Sequence, residues 1–188
     1  MRRRGLLAAL ALGACARSPE PRLFTLAPLP GEARPGGPRT IELRRPGLAG
    51  YLDRPEIVRA AGPYQVGLAG AERWAEPFAD MLGRVLAENL TQRLPGSTVF
   101  TEAGGLSADA DGVVELDVQR FDADAAGRVT LLAQVAVRRG SGRREGTRTR
   151  SLRLSLPAAG DGTPAMVAAM SAALAQLADA VAGMLRGG

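Results

Sequence analysis

The chain has 188 residues, 46% of them hydrophobic and 4% aromatic, with a formal net charge of +5. That length accommodates one domain with its own core and is too short for two large ones. With no histidine and a single cysteine, the composition excludes imidazole-based acid-base and metal chemistry, Ser-His-Asp and Cys-His arrangements, an intramolecular disulfide and a cysteine zinc site.

The 24 basic residues are all arginine, a pattern of genomic composition bias, so the positive charge does not require a nucleic-acid partner. The first four residues carry three of these arginines, and Leu6 to Leu12 is an unbroken apolar run. Together they form the charged and apolar regions of a secretory signal, too short for a stable transmembrane helix. Losing Arg2, Arg3 and Arg4 lowers the formal charge from +5 to +2, and strong duplex binders concentrate more charge than that. No nucleic-acid partner is expected.

Leu12-Gly13-Ala14-Cys15 resembles a bacterial lipobox. The resemblance implies cleavage before Cys15, lipidation of its thiol and acylation of its new amino group. Small residues let the chain enter a narrow protease site, and several acyl chains on one residue anchor far more firmly than one, at about 0.8 kcal/mol per buried CH₂. The alternative for Cys15 is a free cysteine buried in a helix. The same resemblance implies that alanine at position 16, where Gram-negative lipoproteins kept in the inner membrane commonly carry aspartate, favours the outer membrane. The expected organisation is a lipoprotein signal peptide over 1–14, lipidated cysteine and extended tether over 15–22, and one domain over 23–188.

Along the mature chain, Leu23 to Leu26 is a brief strand, and Pro28 to Pro38 is a Pro/Gly-rich connection. Thr40 to Leu43 and Tyr64 to Leu68 alternate as strands do. A helix is predicted from about Arg73 to Arg93, with Trp74, Phe78, Met81, Leu82, Val85, Leu86 and Leu90 on one stripe and Pro77 tolerated near its first turn. Val113–Phe121, Val129–Val137 and Thr147–Leu156 follow as strands joined by hairpin turns. A last helix runs over about Pro164 to Leu185 on a seam of Met166, Met170, Leu174, Leu177, Val181 and Leu185. The expected fold class is α+β: a mixed, largely antiparallel sheet with two main helices packed on one face in a single domain.

Few side-chain groupings suggest chemistry. Glu115 with Asp117 suits the wet face of a strand, and Asp122 with Asp124 suits a turn, better than a metal or glycosidase site. The arginines between 138 and 153 suit either a charge-protected hairpin or contact with lipid headgroups or an acidic partner. Gly104-Gly105 and Gly67 to Gly70 lack the spacing and the lysine of a phosphate loop. No catalytic residue, cofactor or metal site is expected.

Three segments, Leu23-Phe24-Thr25-Leu26-Ala27-Pro28, Tyr51 to Val58, and Arg73 to Phe78 leading into Val85 to Leu90, resemble the ABC-type transport auxiliary lipoprotein (PqiC-like) family. Phe24 stands where tyrosine is usual, and from Thr98 onward the match is one of strand pattern alone. The resemblance implies a non-enzymatic, periplasm-facing lipoprotein held in the outer membrane through acylated Cys15. It would dock an MCE-domain protein of an inner-membrane lipid transporter and help to maintain membrane integrity. A homo-oligomer is left open.

Within these segments Tyr51, Asp53, Arg54, Arg73, Trp74 and Glu76 are candidates for partner binding. Asp53 and Arg54 equally suit a turn, Trp74 suits the core better than a contact, and Arg73 and Glu76, three apart on the predicted helix, suit a mutual ion pair. The competing function is a periplasmic lipid-binding carrier, whose sheet and methionine-bearing last helix would enclose a lipid-sized cavity.

Overall fold

The computed structural model describes residues 20–106, 108–140 and 146–187. The signal segment, Cys15 and the first part of the tether lie outside the described residues.

Among the described residues nine strands form one sheet: β1 (Arg22–Phe24), β2 (Thr40–Leu43), β3 (Gly47–Leu48), β4 (Glu56–Gly62), β5 (Gln65–Trp74), β6 (Thr98–Thr101), β7 (Gly112–Ala123), β8 (Arg128–Arg139) and β9 (Arg148–Pro157). Helices α1 (Phe78–Arg93) and α2 (Gly162–Arg186) complete the α+β domain. The long strand β7 organises the rest. One edge pairs antiparallel with β8, which pairs antiparallel with β9. The other edge takes three short parallel strands in succession: β2 near Gly112, β3 near Asp117 and β4 at Ala123. Beyond them lie β6, parallel to β2, and β5, antiparallel to β4, with β1 parallel to β5. The long ladders are therefore antiparallel and the short ones parallel.

Both helices cover one face. Leu82, Val85, Leu86 and Leu90 of α1 and Met170, Leu174, Leu177 and Val181 of α2 are buried in the same cluster as Val114, Leu116, Val118, Leu131, Ala133 and Val135 of the sheet. The opposite face is polar: the cross-strand rows Asp117, Gln134, Ser151 and Glu115, Ala136, Thr149 run over β7, β8 and β9. The alternation of β7 thus separates core from water, as its period-two pattern predicts. Helix α2 is long and apolar enough to cross a membrane by composition alone, yet it lies against the sheet with 15 of its residues buried.

Helix α1 begins five residues later than the apolar spacing suggests, because Arg73 and Trp74 belong to β5. Pro77 disfavours helical backbone at Glu76, and its carbonyl accepts from the amides of Asp80 and Met81 at 3.1 and 3.0 Å. Trp74 still meets Phe78, with ring centroids 4.9 Å apart in a stacked pair, across the corner between strand and helix. The shared helical phase came from that corner. The strands β3, β4 and β6 are additional to those the residue pattern indicates.

The Pro/Gly-rich connection is a strap across the helices. The Leu26 amide donates to the Met81 sulfur at 3.3 Å, Ala27 N–H to Ser171 Oγ at 3.1 Å and Leu29 N–H to Asn89 Oδ1 at 2.8 Å. Arg93, only 1% exposed, donates to the Leu29 carbonyl at 3.1 Å and pairs with Asp179 of α2 at 2.5 Å.

Phe78 is 2% exposed and touches the rings of both Trp74 and Phe121. Phe78→Ala is expected to cost about 3–5 kcal/mol in urea unfolding and to red-shift the emission of Trp74, the chain's one tryptophan.

Candidate functional site

The segment Ala49–Pro55 leaves the end of β3 and turns into β4. Its fold is local: the Leu52 amide donates to the Ala49 carbonyl at 2.8 Å, the Arg54 amide to the Leu52 carbonyl at 2.9 Å, and the Pro55 carbonyl accepts from Trp74 N–H at 2.8 Å. Buried Leu52 pins the turn to the core, leaving Asp53 and Arg54 exposed. Arg54 and Arg73 converge on Glu56, at 3.5 and 3.9 Å. A charged patch of Asp53, Arg54, Glu56 and Arg73 results, built from the turn and the two strands that follow it.

Tyr51, Trp74 and Glu76 have other surroundings. Trp74 is buried on β5. Glu76 pairs with Arg84 of α1 at 2.5 Å rather than with Arg73, since the two residues are not on a common helix. The half-buried Tyr51 donates its hydroxyl to Asp122 Oδ2 at 2.8 Å, while Arg120 Nε and Nη2 both reach Asp122 Oδ1 at 2.9 Å. Burial, followed by the hydrogen bond to Asp122, pushes the Tyr51 hydroxyl well above the usual tyrosine range.

Asp122 is only 3% exposed and lies on β7, not in the turn its sequence context suggests. The signal was the pair Arg120 and Asp122, two apart and so on one side of a strand. Asp124 does occupy the turn, with Oδ1 accepting from Ala126 and Arg128 amides at 2.9 Å each. Glu115 and Asp117 lie exposed on the wet face. Among the described residues no three acidic side chains gather as metal ligands would.

Two clefts accompany these groups. One, of about 620 Å³, lies between the β4–β5 hairpin and the β7–β8 turn, with Tyr51, Tyr64, Val66, Arg120 and Asp122 in its walls. The other, of about 500 Å³, runs over the polar face beside Asp117, Gln134 and Ser151. Neither lies in the packed layer between helices and sheet. Arg138, Arg139 and Arg148 sit at the end of the sheet opposite the hairpin, since Arg139 pairs with Gly112.

A family model described as the ABC-type transport auxiliary lipoprotein component matches residues 24–182. Comparison with curated protein sequences finds no match. Among solved structures, the fold is similar to a crystal structure of an uncharacterized protein at TM-score 0.72 and 21% identity, covering 87% of this chain and 98% of that one. It is similar to XCC0632 from Xanthomonas campestris at TM-score 0.69 and 23% identity, covering 86% and 91%.

Tyr51→Phe removes one hydrogen bond from a buried carboxylate and is expected to cost about 1–3 kcal/mol in chemical denaturation. The raised hydroxyl also sets a pH dependence. Above the ordinary tyrosine range the unfolded chain ionises while the folded one does not, so stability falls as pH rises. The alkaline branch of the stability curve should be shallower in Tyr51→Phe than in the parent protein.

Proposed function

Because the chain belongs to the ABC-type transport auxiliary lipoprotein family, matched over residues 24–182, we propose that it is an outer-membrane-anchored adaptor of an MCE-type lipid transport system. The family is a transport accessory and not an enzyme class. In this reading acylated Cys15 holds the domain on the periplasmic side of the outer membrane. The domain, alone or as a homo-oligomer, meets the MCE-domain protein extending from the inner membrane.

The observation that favours an adaptor over a lipid carrier is the filled interior. A carrier needs an apolar cavity of several hundred Å³, and the space between helices and sheet is occupied instead by a continuous cluster from Leu26 to Leu185. The 620 Å³ cleft is bordered by Arg120 and Asp122 and lies outside that layer. A rigid domain with a polar sheet face and a charged patch at Asp53, Arg54 and Arg73 suits protein docking, where charged rims set orientation and encounter rate.

Crosslinking in the native envelope is expected to recover an MCE-domain protein, and recovering none with Cys15 intact would overturn the adaptor. Arg54→Ala with Arg73→Ala should reduce that recovery several-fold while changing stability by no more than about 0.5 kcal/mol. Cys15→Ser should leave the domain folded but release it from the membrane fraction and abolish transport. A variant that stayed attached and active would remove the anchor from the argument.

A further inference from the structure

The β4–β5 hairpin extends past the sheet. Arg59 is the last β4 residue beside β7, opposite its final residue Ala123, so Ala60 to Val66 continue beyond the end of the β7 strand. At the base of this arm Arg59 donates to the buried Thr163 hydroxyl at 2.5 Å, Thr163 donates to Glu72, and Arg22 of β1 pairs with Glu72 at 2.9 Å. Charged and polar groups thus clamp β1, β4, β5 and the start of α2 together.

Beyond the Arg59–Gly67 pair the arm, Ala60 to Val66, carries no charge. The twelve residues from Ala60 to Ala71 include no Asp, Glu or Arg. Tyr64 is fully exposed at the tip, and Val66 and Leu68 are 51% and 49% exposed. Alternation puts Val66 and Leu68 on one face of β5. Four β5 residues, Ala69 to Glu72, stand against Ile57 alone on β4. Gly70 takes φ +60° in this bulge, which bends the strand between clamp and tip.

The direction of β1 determines what lies near this tip. Parallel pairing of Arg22 with Glu72 and Phe24 with Trp74 means that the chain preceding Arg22 arrives from the hairpin side of the sheet. Cys15 is seven residues before Arg22, and Gln65 is seven residues before Glu72. Each stretch spans at most about 23 Å. A bilayer holding Cys15 is therefore within reach of the hairpin tip, whereas the far end of the sheet, at Gly112 and the C-terminus of α1, points away from it.

We propose that the charge-free β4–β5 tip, through Tyr64 and Val66, sits in the interface of the phospholipid bilayer that holds acylated Cys15. This rests on the assignment of Cys15 as the lipid anchor. An exposed tyrosine beside aliphatic side chains suits that layer, where the ring meets acyl chains and the hydroxyl stays wet. The contact gives the domain a second point of attachment and so an orientation, which a single flexible tether does not supply.

The test uses the full chain in its native envelope, with p-benzoylphenylalanine at position 64, 66 or, as a control, 92, an exposed site near the C-terminal end of α1. Cells are labelled with radioactive phosphate for phospholipid and, separately, with palmitate for Cys15. Irradiation should give phospholipid adducts at 64 and 66 several-fold above those at 92. Adducts to another protein or a second copy at 64 and 66, or no adduct there, would overturn the proposal. Palmitate on Cys15 without lipid adducts at the tip rejects the tip alone. Lipid adducts at the tip without palmitate on Cys15 reject the anchor and leave the tip contact standing.

Discussion

The position of Arg93 constrains the whole helical layer. A guanidinium that is 1% exposed would cost several kcal/mol if left unpaired, and it is satisfied by groups from three separate stretches: Asp179 of α2, the Asn89 carbonyl of its own helix and the Leu29 carbonyl of the strap. Its backbone carbonyl accepts from Arg34 N–H at 3.0 Å. A Cβ at Gly31 would overlap the guanidinium, so the strap can pass only where a glycine allows it. Two helices and one irregular segment are locked by a single side chain.

The strap needs such partners because it belongs to no ladder. Backbone amides withdrawn from water must be paired, and those of buried Leu26 and partly covered Ala27 and Leu29 find a thioether, a hydroxyl and a side-chain amide on α1 and α2. Pinning the strap also determines where β1 goes. The strand lies alongside the last residues of β5 and parallel to it, so the chain before Arg22 points toward the hairpin, which orients the N-terminal tether relative to the domain. The path from a buried charge to the orientation of the tether is continuous: Arg93 holds the strap, the strap follows β1, and β1 is where the chain from Cys15 enters.

Charge is distributed in keeping with that orientation. Beyond Arg59 the hairpin is uncharged, while Arg138, Arg139 and Arg148 lie at the other end of the sheet and the arginines of β9 discourage edge pairing. The polar sheet face and the patch around Glu56 lie between. The domain is polar along its flank and apolar at one tip, and its interior is filled.

Local pattern was enough for the elements whose residues satisfy their own periodicity. The alternation of Val114, Leu116 and Val118, the alanine-rich seam of α2 and the stripe from Phe78 to Leu90 specify strand or helix because each presents one apolar face. The start of α1, the burial of Asp122, the partner of Glu76 and the strand β4 were not legible in the same way. Trp74 shares a helical phase with Phe78 yet sits on a strand, because a corner at Glu76-Pro77 brings the rings together by stacking. Asp122 has turn-like neighbours yet is buried, because Tyr51 and Arg120 reach it from either side.

The sequence by itself therefore determined the absence of imidazole and of an intramolecular disulfide, the α+β class and most of the core. Only the tertiary structure decided that the interior is filled, that Asp53, Arg54 and Arg73 share a patch, and that the tether and the uncharged hairpin emerge at one end. Periodicity reports which face of an element avoids water. Direction and adjacency arise from long-range pairing, here Arg22 with Glu72 and Arg59 with Ala123, whose partners lie some fifty and sixty-four residues apart and leave no mark on local pattern.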